Sequence, residues 1–267
     1  MSKKLRFKAL FAGSLFAVMS TFSQATVVEI RTSLGPIQVN LFDNATPQTV
    51  ANFLSYVNSG AYVNNVVHRK VPGFVVQAGG FTYTGPIQAD RAFTLDSVAT
   101  GTSVVNEPKL SNVRGTIAMA KGSSPDSAKS QWFINLSDNA NSLDVAGNSG
   151  GFTVFGQVIG NGMQVADEIA GLAIIKYSRP FDELPIRNYT QSDLDNKVAV
   201  TDDNLVIVSD VVVIDSAVVT HPEIVPVANT LINNPGNGGG SGSGSGGGSF
   251  AWLSLLVIMV LGRRIHR

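Results

Sequence analysis

Apolar and polar positions alternate where the body of the chain begins. Val28 and Ile30, then Ile37, Val39 and Leu41, stand on either side of Ser33-Leu34-Gly35-Pro36, the period-two signature of a hairpin with one buried face. The period then lengthens. Val50, Phe53, Leu54 and Val57 follow at i, i+3, i+4 and i+7, with Thr46 as N-cap, Pro47 at the first helical position and Gly60 beyond the end. This spacing predicts an amphipathic helix of about three turns. A second helix is predicted over residues 162–170, stopped by Gly171. Short apolar runs at residues 74–76, 116–120, 133–136, 153–159, 205–208 and 211–214 supply further strands. Many short strands with two helices predict a mainly β architecture, a closed barrel with helical plugs. Residues 173–203 show no clear period and read as a long surface excursion before the last strands.

Both ends of the chain read as addresses. Residues 1–25 have a basic start, an apolar run from Ala9 to Val18, and Ser23-Gln24-Ala25 as a small-x-small cleavage site, which together predict a secretory signal and a mature start at Thr26. An uncleaved anchor is the alternative, but the apolar run is shorter than the ~20 residues of a spanning helix. At the other end Gly236 to Ser249 is almost pure Gly and Ser, followed by an apolar block at residues 250–262 and the basic finish RRIHR. A flexible coil reaching roughly 20 Å would tie a greasy tail to the domain, and the Arg residues would hold the last end on the cytoplasmic side. The tail is similar to the GlyGly-type C-terminal sorting tails of Gram-negative bacteria, which implies at least transient membrane contact and then the periplasm or cell surface. A simple tail anchor is the plainer alternative. The chain thus divides into a signal (1–25), a folded domain (26–220), a linker (221–249) and a tail (250–267).

Charge narrows the partners. The formal net charge is zero, but seven of the 19 Lys and Arg residues lie in the two ends, so 12 basic residues face 19 acidic ones between them, about −7. This balance argues against a nucleic-acid partner on electrostatic grounds. The chain has no Cys, which removes disulfides, thiolate metal sites and Cys nucleophiles, and His68, His221 and His266 are its only histidines. Neither a metal nor a Ser-His-Asp centre is predicted, and no cofactor is needed.

The chemistry concentrates in VHRKVPGFVVQAGGF at residues 67–81, with GTIAMA at 115–120, SQWFIN at 130–135 and TVFG at 153–156. In wording, order and spacing these segments resemble the cyclophilin family of peptidyl-prolyl cis-trans isomerases, closest to its bacterial periplasmic members. The resemblance runs from about Val27 to Leu172 and resumes near residues 205–218. It implies an eight-stranded antiparallel barrel closed by two helices, a monomer, and proline-containing polypeptides as partners. It also implies that Arg69 is catalytic with Gln77 holding it, and that Phe74, Val75, Phe133 and Leu143 form a proline pocket. Ala120 would lend backbone to the peptide and Gln131 would lie on the rim. Val75 is shorter than the Met or Ile usual in the family. Ser142 stands where many eukaryotic members carry Trp, which weakens the implication of cyclosporin sensitivity, and Phe152 stands where they carry the pocket His.

These residue types suit the reaction. Rotating an Xaa-Pro bond breaks amide resonance against a barrier of ~18–20 kcal/mol and requires no covalent chemistry. A fixed donor aimed at the prolyl nitrogen of the twisted state binds it better than either planar state. An arginine stays charged and offers a rigid fork, one arm for Gln77 and another for substrate. Taken alone, Arg69 reads as a surface arginine and the Phe residues as core, and only the flanking motif reverses this. His68 reads as a hydrogen-bonded structural histidine, Trp132 as packing on the face opposite Phe133, and Gly79-Gly80 as a bulge or close backbone approach. Two other functions compete with the isomerase: a non-catalytic proline-peptide-binding or chaperone module on the same barrel, and a surface scaffold defined by its tail.

Overall fold

The computed structural model describes residues 26–88, 93–217 and 220–233. The signal segment, the Gly/Ser run and the apolar tail lie outside the described residues. Among the described residues no helix is long and apolar enough to cross a membrane.

The alternating segment folds into β1 (Val27–Thr32) and β2 (Gly35–Leu41), paired from Val27↔Asn40 to Thr32↔Gly35 across the two-residue loop Ser33-Leu34. Helix α1 (Pro47–Asn58) follows, with Pro47 in its first turn, and Gly60 just past its end at φ 71°. Thr46 does not cap it: its side chain is fully buried and makes no capping bond. The Glu107 carboxylate does this work, accepting from the Thr49 backbone N–H and hydroxyl, both at 2.9 Å. An anion at a helix N-terminus satisfies an orphan donor and opposes the macrodipole.

Five short strands come next: β3 (Asn65–Val66), β4 (Arg69–Val71), β5 (Val75–Ala78), β6 (Phe81–Thr82) and β7 (Asp96–Ser97). Then come β8 (Thr116–Met119), β9 (Trp132–Asn135), the one-turn α2 (Ala140–Leu143), β10 (Val154–Ile159) and α3 (Gly162–Gly171). The chain closes with β11 (Ala173–Ile175), β12 (Leu184–Ile186), α4 (Gln191–Asp195) and β13 (Ile207–Asp215). The runs at 205–208 and 211–214 are thus served by one strand. Polar Ser209 and Asp210 stay extended because Asp210 pairs with Arg31 of β1, and a register shift there absorbs the extra residue.

The main sheet is antiparallel, in the order β4-β5-β9-β8-β10-β2-β1-β13-β3-β6-β7. It has eleven strands where eight were expected. Two of the additional ones arise where one extended run is interrupted: residues 67–68 separate β3 from β4, and Gly79-Gly80 separates β5 from β6. The third is the short β7. Since β3 bonds to β13 and β4 to β5, and two residues join them, the sheet must curl until distant strands meet. The backbone fills this join, with Val67 N donating to Val206 O and His68 N to Gln77 O. Among the described residues there are four helices rather than two, the additional α2 and α4 being only four and five residues long.

Alternation along the strands sorts the core. Val76 and Ala78, Ile117 and Met119, and Trp132 and Ile134 point inward with Ile30, Val39 and Phe155, under Phe53 of α1 and Ile169 of α3. The intervening residues Val75, Ala118, Ala120, Phe133 and Val154 form a second cluster on the other face with Phe42, Leu110, Leu143 and Phe152. Trp132 therefore packs opposite Phe133, as its position predicted.

Two segments differ from expectation. Residues 173–203 are not a mere surface excursion. Ile175, Phe181, Leu184, Ile186, Tyr189 and Val200 bury themselves against Val66, Phe93, Leu95 and Leu205 as a third cluster. Helix α4 carries a capping box between Thr190 and Asp193. Apolar residues spaced by turns rather than by a period left no signal to read. The start of the expected linker is also laid on the domain: Leu110 bridges Ala228, Ser111 N donates to Val227 O at 2.8 Å, and Asn229 N donates to Lys109 O at 2.9 Å.

Candidate active site

One row of cross-strand partners carries the expected site. Arg69 of β4 faces Gln77 of β5, Gln77 faces Phe133 of β9, and Phe133 faces Ala118 of β8. Residues directly opposite in an antiparallel sheet project to the same side, so the polar pair and the apolar cluster share one face. Arg69 is 8% exposed and Gln77 is 1% exposed, so neither is a solvated surface residue.

The polar end is an ordered chain. Arg69 Nη1 donates to Gln77 Oε1 at 3.4 Å, and Gln77 Nε2 donates to Gln131 Oε1 at 2.8 Å. With its oxygen on arginine and its nitrogen on Gln131, the buried Gln77 amide has both functions used. Arg69 Nε donates to Glu183 Oε2 at 2.7 Å. Nothing in the sequence pointed to Glu183, which lies 114 residues away in the aperiodic segment.

The apolar end brings Val75, Phe133, Leu143 and Phe152 into one cluster, with Ala120 in it and the partly exposed Phe74 packed against it. Phe133 and Phe152 meet edge to face, centroids 6.0 Å apart at 67°. Lys121, also unmarked by the sequence, holds its Nζ 4.5 Å from the Phe152 ring centroid and donates to Ser149 O. Burial lowers its pKa to about 8.

Buried polar groups fix the loop that presents Leu143 and Phe152. Asp144 Oδ2 accepts from the Ser111 hydroxyl at 2.6 Å, and its Oδ1 accepts from Asn112 N at 2.9 Å and Asn112 Nδ2 at 2.8 Å. Asn112 Nδ2 also donates to Phe152 O at 3.0 Å, and Phe152 N donates to Leu143 O at 2.8 Å. Phe74 is held through its carbonyl by Leu136 N at 2.8 Å and Asn139 Nδ2 at 2.9 Å.

Gly79 makes the close approach read for it. At φ 85° a Cβ there would lie 2.5 Å from Ser130 O and 2.9 Å from the Trp132 ring. His68 is a buried structural histidine, as read, with the Val66 backbone and the Gln131 side chain as its polar neighbours. Its ring packs edge-on against Phe81 at 4.8 Å, and burial pushes its pKa down to about 3, so it is a neutral core residue. Among the described residues no group of His, Asp and Glu could hold a metal.

The family model for cyclophilin type peptidyl-prolyl cis-trans isomerase/CLD matches residues 27–191. The chain is 41% identical over 152 residues to a peptidyl-prolyl cis-trans isomerase of Acinetobacter baylyi, covering 57% of this chain and 76% of that protein. It is 41% identical over 174 residues to peptidyl-prolyl cis-trans isomerase A of Dickeya dadantii, covering 64% and 85%. A crystal structure of a Cryptosporidium parvum cyclophilin type peptidyl-prolyl cis-trans isomerase in the presence of the dipeptide Ala-Pro is similar with a TM-score of 0.49 and 24% identity, covering 71% of this chain and 99% of that one.

Proposed function

The chain belongs to the cyclophilin-type peptidyl-prolyl cis-trans isomerases, and on that premise we propose that the Arg69 strip is where it turns Xaa-Pro bonds. The observation that carries this reading is the row Arg69–Gln77–Phe133, a tethered guanidinium on the same face as an aromatic cluster.

Val75, Phe133, Leu143 and Phe152 are 0% exposed and form a closed cluster instead of an open cup, so the proline ring is taken at the partly exposed Phe74 and Gln131 beside it. The Ala120 amide already donates to Gln131 O at 2.9 Å, so its carbonyl is the group offered to the peptide. As the imide twists, resonance is lost and the prolyl nitrogen regains a lone pair. Arg69 donates to that nitrogen in the twisted state and to neither planar state, which is what lowers the barrier. The apolar wall excludes water and strengthens the bond. No proton is transferred and no covalent bond is made.

A charge-assisted hydrogen bond is worth about 1.5–3 kcal/mol, and each 1.36 kcal/mol is tenfold in rate. In the full chain Arg69→Ala is therefore expected to slow exchange of a short Xaa-Pro peptide, followed by NMR exchange spectroscopy, by one to two orders of magnitude. Wild-type exchange in a folded Arg69→Ala protein refutes the reading. Peptide binding with no acceleration by the wild type would support the non-catalytic module instead.

The substrates we propose are exported polypeptides whose folding is limited by proline isomerisation. The support is sequence alone: the cleavable signal at 1–25 and the Gly/Ser run, apolar block and basic end at 236–267, which together favour the periplasm or cell surface and a membrane tail that is at least transient. The mass of the product recovered outside the cytoplasm tests both ends, since a cut signal removes 25 residues and an intact chain refutes export by this route.

A further inference from the structure

We infer that Glu183 is a positioning residue for Arg69, delivered to the site by the 173–203 segment; this rests on the reading of Arg69 as the catalytic donor. A guanidinium held by one weak bond can swing about its long stem, and catalysis by a donor requires that it already point at the prolyl nitrogen when the imide twists. Gln77 is a distant tether at 3.4 Å, to Nη1. Glu183 is the closer one at 2.7 Å, to Nε. The two act on different nitrogens from different directions, so together they fix the plane of the fork and leave Nη2 for substrate.

The mount for Glu183 is stiff. Its carbonyl accepts from Lys70 N at 2.9 Å, which docks it on the outer edge of β4 beside Arg69. From the other face of β4, Lys70 Nζ donates to Ala170 O at 2.6 Å and to Leu172 O, fixing the end of α3 from which the segment departs. Leu184 and Ile186 then bury the following strand in the third cluster. Glu183 itself keeps 29% of its side chain exposed against 10% for Arg69, so the carboxylate reaches in from the rim without being sealed. Its place is set by backbone and by neighbours, not by the ion pair alone.

The experiment is a double-mutant cycle in the full chain, with kcat and KM for an Xaa-Pro peptide separated by exchange spectroscopy. Losing a tether leaves the arginine spread over several rotamers, so Glu183→Ala is expected to lower kcat about tenfold with KM within about twofold. Glu183→Gln keeps a neutral acceptor of the same size and recovers part of that loss, to about threefold. In the Arg69→Ala background, Glu183→Ala is expected to change nothing further, whereas a role in stability alone would lower activity in both backgrounds. Unchanged or raised kcat in Glu183→Ala, with Arg69→Ala still slow, overturns this inference and leaves the catalytic assignment standing. A fast Arg69→Ala overturns both. If Glu183→Ala does not fold, Glu183→Gln decides alone: it must lose kcat at an unchanged urea midpoint.

Discussion

Asp144 offers the sharpest quantitative test of how the loop carrying Leu143 and Phe152 is held. The residue is 1% exposed; its carboxylate accepts from three buried donors on Ser111 and Asn112, while its carbonyl accepts from Asn229 Nδ2 at 2.9 Å. Asn112 passes the restraint on to Phe152 O. Asp144→Ala strands three donors, each costing about 1–3 kcal/mol if left dry. Removing the carboxylate also relieves its own desolvation and leaves room for water, so the net loss is about 3–5 kcal/mol. For a domain of this size that is a fall in Tm of roughly 6–20 °C. Asp144→Asn keeps the shape and one oxygen, and the Ser111 hydroxyl can turn to accept from the new amide, so its loss should be less than half as large. Urea unfolding followed by circular dichroism reads both variants directly, with an unchanged slope required for the comparison. A cost below about 1 kcal/mol for Asp144→Ala would refute the idea that this carboxylate organises the loop.

Two further outcomes follow. Gly79→Ala should cost about 2–5 kcal/mol in the same unfolding assay, from a left-handed backbone and a collision with the Ser130 carbonyl; a neutral effect means the close approach is absent. Lys121 has a folded pKa of about 8 against an ordinary value of 10.5, so between those pH values the unfolded chain binds more protons and this group's contribution to stability rises with pH. The wild type should gain on Lys121→Met across that window and run parallel to it below pH 8; parallel curves throughout would show that the ammonium is not desolvated.

What the sequence disclosed depended on how local each cause is. The hairpin of β1 and β2, helix α1 and helix α3 are set by period and by Pro and Gly punctuation, and they stand within a residue or two of expectation. The shared face of Arg69, Gln77, Val75 and Phe133 was legible in part, because residues two apart on a strand share a side and the motif named the rest. The helix cap was misread because Glu107 comes from 58 residues away, and a distant carboxylate outcompetes a local hydroxyl without leaving a trace near Thr46. Strand number was misread because period says nothing of where a run breaks: the join at residues 67–68 and Gly79-Gly80 interrupt pairing while the chain runs on. Glu183 was invisible for the same reason as Glu107.

The position of Arg69 accounts for its pairing with a carboxylate remote in sequence. The row that supplies the apolar wall runs through β9 and β8, interior strands whose side chains are braced by neighbours on both sides. A long cation cannot be set among them without burying its charge unpaired, which costs far more than any catalytic gain. It belongs on β4, the first strand in the order, where the fork can reach the wall from the side. A terminal strand has a partner on one edge only, and Gln77 on β5 provides that partner. The other edge would leave Lys70 N unpaired and the guanidinium loose. The 173–203 segment answers both needs with one residue, Glu183 O on the backbone and Glu183 Oε2 on the side chain. Glu183 thus ties the part of the chain with the least readable pattern directly to the Arg69 side chain.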